Sequence, residues 1–143
     1  MKKLIARADI IINAPLLKVW EALTKPEIIK KYLFGTEVVT DWKVGSSIIW
    51  RGVWQGKSYE DRGMVLKYEP MKIVETTYWS SMSGLSDSEE NYKIVRYELF
   101  AKENSVEIVI TQDNNLTEDS RKHSEQNWRM VLDKLKKLLE NKI

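Results

Sequence analysis

Six tryptophans and six tyrosines are the side chains of this sequence best suited to meeting a ligand. Trp50, Trp54, Tyr59, Tyr78, Trp79, Tyr97 and Trp128 fall on predicted strands, at a turn or on the last helix. Large flat rings line apolar pockets, and their N–H or O–H tips orient what is bound. The same rings can equally fill a core or cover a surface. Tyr78 and Trp79 are adjacent, so only one can face inward on a regular strand. Val74, Thr76 and Tyr78 form the more apolar face, opposite Glu75. Met64 and Met130 could pack along an irregular wall, because methionine adapts its shape. Trp50, Met64, Tyr78, Tyr97 and Trp128 are therefore the candidate walls of a binding cavity.

Charged residues inside strands are the next candidates. Arg51, Arg62, Glu75 and Arg96 would each need a partner if buried, and otherwise belong to a solvated outer face. Arg62 is the candidate polar anchor, since a regular strand puts it on one face with Met64, Leu66 and Tyr68. His123 is the sole histidine, and nothing in the sequence orients it as a general base, so it reads as an exposed helix residue. No catalytic residue is assigned. Without cysteine there is no disulfide, thiolate metal site or Cys nucleophile. One histidine falls short of a zinc ligand set, the acidic residues lack calcium-loop spacing, and no Gly-rich phosphate loop occurs. No cofactor or metal is expected.

The elements that would position these residues follow from periodicity. Residues 3–12 end in Ile10-Ile11-Ile12, a β-branched run that favours a strand. Pro15 suits a helix start, and Leu16, Val19, Trp20 and Leu23 recur at helical spacing. Thr24-Lys25-Pro26-Glu27 reads as a capping box opening a second short helix through about Lys31. Gly35 ends that unit. Ser46–Val53, Tyr59–Glu69, Ile73–Trp79, Tyr92–Ala101 and Ser105–Gln112 read as strands joined by short turns, which implies an antiparallel meander. Ser80–Asn91 is a polar loop, either a lid or a plain connector. Trp128, Val131, Leu132, Leu135, Leu138 and Leu139 make one apolar stripe on a closing helix. The 143 residues read as one domain, 1–143.

Composition narrows the function classes. The 23 basic and 21 acidic residues leave a net charge of +2, without the one-sided basic footprint of nucleic-acid binders. The lysines Lys134, Lys136, Lys137 and Lys142 read as the solvated face of a helix. Met1-Lys2-Lys3 is not followed by the apolar run of a secretory signal, and no stretch reaches the roughly 20 apolar residues of a membrane span. A cytoplasmic location is expected, with no nucleic-acid or membrane partner. Nothing in the pattern decides between monomer and homodimer.

The order of the elements, with certain short words, resembles the START-like (SRPBCC, helix-grip) superfamily. The closest resemblance is to the family named after the activator of the ninety-kilodalton heat-shock protein ATPase. The words are Ala14-Pro15, Val19-Trp20-Glu21-Ala22-Leu23-Thr24, Pro26-Glu27, Lys30-Lys31-Tyr32, Trp42 with Gly45, and Gly63-Met64-Val65. They continue with Glu69-Pro70 before Ile73-Val74, then Tyr97-Glu98-Leu99, and Trp128 with Leu132. Two positions depart from the pattern: Gly45-Ser46 replaces a Gly-Gly pair, and Val106–Ile110 replaces a Thr-rich strand. The resemblance implies an α+β helix-grip fold. A curved antiparallel sheet of six or seven strands would hold the C-terminal helix in its concave face, with a cavity between. It also implies three functions: binding a small apolar ligand, stimulating a chaperone ATPase as a partner-binding module, or a cyclase- or hydrolase-like activity. A fold this permissive does not choose among them.

Overall fold

Alternation along each strand decides which side chains enter the interior. In the computed structural model, which describes residues 4–140, strand β1 (Leu4–Ile12) is followed by helices α1 (Leu16–Thr24) and α2 (Pro26–Tyr32). Strands β2 (Glu37–Val39), β3 (Ser47–Trp54), β4 (Lys57–Glu69), β5 (Ile73–Tyr78), β6 (Lys93–Ala101) and β7 (Val106–Asn115) come next, and helix α3 (Glu118–Glu140) closes the chain. Met1-Lys2-Lys3 and Lys142 lie outside the described residues. The strands form one curved, seven-stranded sheet in the order β1-β7-β6-β5-β4-β3-β2, antiparallel throughout. Ala6, Ala8 and Ile12 on β1, Val95 and Leu99 on β6, and Val106, Ile108 and Ile110 on β7 are all buried, the period of two expected of a half-buried strand. The α+β helix-grip architecture is therefore present. Among the described residues no helix is long and apolar enough to cross a membrane.

Two local readings change. Thr24 does not cap α2: its hydroxyl donates to the Trp20 carbonyl, 2.9 Å away in the preceding turn. Lys25 is the cap residue, without a side-chain hydrogen bond. A reciprocal box instead opens α3, where Ser120 N–H donates to Thr117 Oγ1 and Thr117 N–H to Ser120 Oγ, both at 3.1 Å. The seventh strand, β2, is three residues long with only Val38 buried, too short to show a period.

Helix α3 packs chiefly along β1 and much less on β7. Its buried side chains are Val131, Leu132, Leu135 and Leu139, and the small Ala6 and Ala8 give the helix room to approach β1 closely. Polar side chains of the helix then reach round to the open edge of that strand. Arg7 N–H donates to Glu125 Oε2 at 3.0 Å, Asn13 N–H to Glu140 Oε2 at 2.7 Å, and Lys136 Nζ to the Ile11 carbonyl at 2.7 Å. Exposed edge groups invite pairing with other chains, and here the helix occupies several of them.

The Glu125 carboxyl is held below the usual carboxylate range, first by the Arg7 N–H and further by the Arg121 guanidinium. A depressed carboxyl stabilises the fold above its unfolded pKa, and that contribution is lost as pH falls through the folded one. Glu125→Gln should thus lower stability at pH 7 by about 0.5–1 kcal/mol, the small size reflecting solvent screening. Denaturant titrations from pH 7 downward check this: the two proteins should differ at pH 7, and the difference should shrink as the pH falls.

Candidate functional site

Because α3 lies chiefly over β1, much of the inner face of β3 to β6 is left uncovered. A cavity of about 680 Å³ opens there. Ile48 and Trp50 of β3, Tyr59 and Asp61 of β4, Val74, Thr76 and Tyr78 of β5, and Val95 and Tyr97 of β6 form its sheet side. Ile29 and Tyr32 of α2 and Ser124, Asn127, Trp128 and Val131 of α3 stand across from it. Phe34, Trp54, Met82 and Met130 also line it, and the last three are more than two-fifths exposed, which places them at the mouth. Trp54 is carried there by the β3–β4 hairpin, whose Gln55-Gly56 turn has φ of 51° and 82°, the geometry of a tight two-residue loop.

The aromatic walls are locked edge to face. Trp50 and Tyr78 lie 5.1 Å apart between ring centroids at 73°, and Tyr97 and Trp128 lie 5.8 Å apart at 81°. Trp128 is also fixed by hydrogen bonding. Its indole N–H donates to Gln112 Oε1 at 2.8 Å, Gln112 Nε2 donates to the Ser124 hydroxyl at 3.3 Å, and Ser124 donates to Asn115 Oδ1 at 2.9 Å.

One carboxylate faces the interior. Asp61 is 7% exposed. Its Oδ2 accepts the Tyr78 hydroxyl at 2.7 Å, and its Oδ1 accepts the Ser81 N–H at 2.9 Å and the Ser81 hydroxyl at 3.1 Å. Burial, and then the Asp61 charge, push the Tyr78 phenol far above its ordinary range, so it stays a donor. Thr36 and Tyr59 share a hydroxyl–hydroxyl contact of 2.5 Å, and Tyr32 donates to the Ala22 carbonyl at 2.7 Å. The Tyr97 phenol is raised by burial alone, and its hydroxyl has no hydrogen-bond partner among the described residues.

Of the residues the sequence nominates, Trp50, Tyr78, Tyr97 and Trp128 line the cavity. Arg62 and Met64 do not. The Arg62 side chain is 49% exposed and pairs with Glu60 and Asp87, and Met64 is 47% exposed. The cause is a bulge, visible as a register shift between Val65 and Lys67. Before it, Tyr59, Asp61 and Val65 point inward; after it Tyr68 does, packing on Trp20 and Trp42. A bulge reverses the strand's phase, so Arg62 and Met64 do not share the face of Tyr68. His123 is exposed and borders the cavity. In sequence Asp61 stands between Glu60 and Arg62 in a stretch that reads as solvated, and only its phase with Tyr59 and Val65 marks it as inward.

The family model of the activator of Hsp90 ATPase homolog 1-like proteins matches residues 13–140. The chain belongs to that family. Among solved structures, ChR145 from Cytophaga hutchinsonii is 52% identical, with a TM-score of 0.87 over 99% of this chain and 97% of its own. The Aha1 dimer from Colwellia psychrerythraea is 24% identical, with a TM-score of 0.73 over 96% of both chains. DynU16, from the dynemicin biosynthetic locus, is 17% identical with a TM-score of 0.79, over 96% of this chain and 47% of its own. Both of these lower-identity likenesses are of fold. No curated protein matches the sequence.

Within this family member, β4 and β5 approach closely at Gly63, two residues from Asp61. Arg62 and Trp79 exchange backbone hydrogen bonds of 3.1 and 2.8 Å, drawing β4 and the end of β5 together beside Asp61 and Tyr78. A Cβ on Gly63 would lie 1.9 Å from the Thr77 carbonyl oxygen. Gly63→Ala should therefore destabilise the fold by about 1–3 kcal/mol, as overpacking does, measured by denaturant unfolding. An unchanged midpoint would contradict the close approach.

Proposed function

We propose that this protein binds a small, mostly apolar molecule in the cavity between the sheet and α3. The observation that carries the reading is the cavity itself. Its volume of about 680 Å³ falls within the roughly 300–1,000 Å³ of small-molecule sites, and its walls are mainly aromatic and aliphatic. Trp50, Tyr78, Tyr97 and Trp128 would be the contact walls. A ligand covering such a wall gains about 25 cal/mol per Å² of apolar surface buried, before the costs of association. Arg62 and Met64, on the outer face, have no part in this proposal.

The arrangement favours binding over catalysis. The Tyr78 phenol is held protonated, and three donors already engage the Asp61 carboxylate, which suits an anchor better than a base that must cycle its proton. Stimulation of a chaperone ATPase, the activity in the family's description, would use an outer surface and leave the cavity unexplained.

The test is thermal stability against a panel of lipids, flavonoids, sterols and polyketide-like aromatics. A ligand at 100 times its Kd adds about 2.7 kcal/mol, so one chemical class should raise the midpoint clearly. Trp128→Ala should weaken that ligand's binding about tenfold or more, with a stability loss of up to about 3 kcal/mol. A panel without any shift, or a ligand held equally well by Trp128→Ala, would count against the proposal.

A further inference from the structure

The charge inside the cavity is of one sign. No lysine or arginine is among its lining residues. Lys134 Nζ stands 4.5 Å from the ring centroid of Phe34, but Lys134 is not itself a lining residue. His123 borders the cavity but is exposed. In the interior the one acidic group is Asp61.

The hydrogen bonding of Asp61 leaves capacity unused. A carboxylate offers about four acceptor positions. Ser81 fills two on Oδ1, and Tyr78 fills one on Oδ2, so an acceptor position remains on Oδ2, beside the Tyr78 ring. An anion entering this space would lose its hydration, find no cation, and meet a buried like charge; each effect opposes binding. A molecule with an N–H or O–H would instead gain a hydrogen bond to a charged acceptor, which is stronger than a neutral one. The Tyr97 hydroxyl, without a partner among the described residues, is a further donor on the cavity wall.

We propose that Asp61 is the polar anchor and charge filter of the cavity, selecting neutral or cationic apolar molecules that carry a hydroxyl or amine and rejecting carboxylates and sulfonates. This rests on the ligand-binding reading above and adds the chemical class of the ligand.

Two fluorescent probes of the same ring system test it: neutral N-phenyl-1-naphthylamine, with one N–H donor, and anionic 8-anilinonaphthalene-1-sulfonate. The unaltered protein should bind the neutral probe at least about tenfold more tightly, and Asp61→Asn should shrink that ratio to about threefold or less by strengthening the sulfonate, because the repelling charge is gone. A second measurement uses the unaltered protein alone. Dodecylamine and dodecanol should displace the naphthylamine, and dodecanoate at equal concentration should not. Equal affinity for the two probes, a ratio unmoved by Asp61→Asn, or displacement by dodecanoate as potent as by dodecylamine overturns the charge filter while leaving the cavity reading intact. Failure of both probes to bind overturns the cavity reading, and the filter falls with it.

Discussion

The structure depends on where α3 is allowed to lie. Ala6 and Ala8 make β1 the lowest ground on the inner face of the sheet, and Val131, Leu132, Leu135 and Leu139 settle there. Glu125, Lys136 and Glu140 then tie the helix to the exposed edge of β1. A helix fixed over one edge cannot also cover the middle of a seven-stranded sheet. Its C-terminal half completes the core, while residues 123–131 stand at the cavity wall. The same contact that stabilises the fold therefore leaves space in it.

Leaving that space has a local cost, visible around the site. Trp42 adopts φ of +64° and Phe34 +55°, the left-handed region that bulky residues seldom occupy. Trp42 is held there by stacking on Tyr68 at 5.6 Å and by its indole N–H donating to the Thr24 carbonyl at 2.9 Å. Among the described residues no cation pairs with the buried Asp61. Departures from local consistency tend to gather at functional sites, and Phe34 and Trp42 both line the cavity, while Met71 and Asn114 take positive φ away from it. Along β7 the buried side chains pass from Val106, Ile108 and Ile110 to Gln112, Asn114 and Asn115.

Much of the fold was legible because it rests on periodicity. The Ile10–Ile12 run marks a strand by its β-branched residues, the α3 stripe and the Val74-Thr76-Tyr78 face repeat often enough to show their inward side, and Val74, Thr76 and Tyr78 all line the cavity. What could not be read depends on single events between distant residues. The bulge after Val65 reverses the phase of β4, so that Tyr68 faces inward while Arg62 and Met64 face outward, yet no residue type there announces it. Asp61 acquires its role from Tyr78 and Ser81, seventeen and twenty residues away. Thr24 had two hydrogen-bonding options of similar local appearance, and the end of α1 took its hydroxyl. β2 is too short for any pattern to form.

The central claim, a cavity whose walls include Trp50 and Trp128, is tested most directly by following the indole N–H signals of the six tryptophans by NMR while N-phenyl-1-naphthylamine is added. Trp50 and Trp128 line the cavity, whereas Trp20 and Trp79 do not. The account predicts saturable shifts at Trp50 and Trp128 with Trp20 and Trp79 unmoved. Shifts centred on Trp79, or none at Trp50 and Trp128 despite binding, would contradict it.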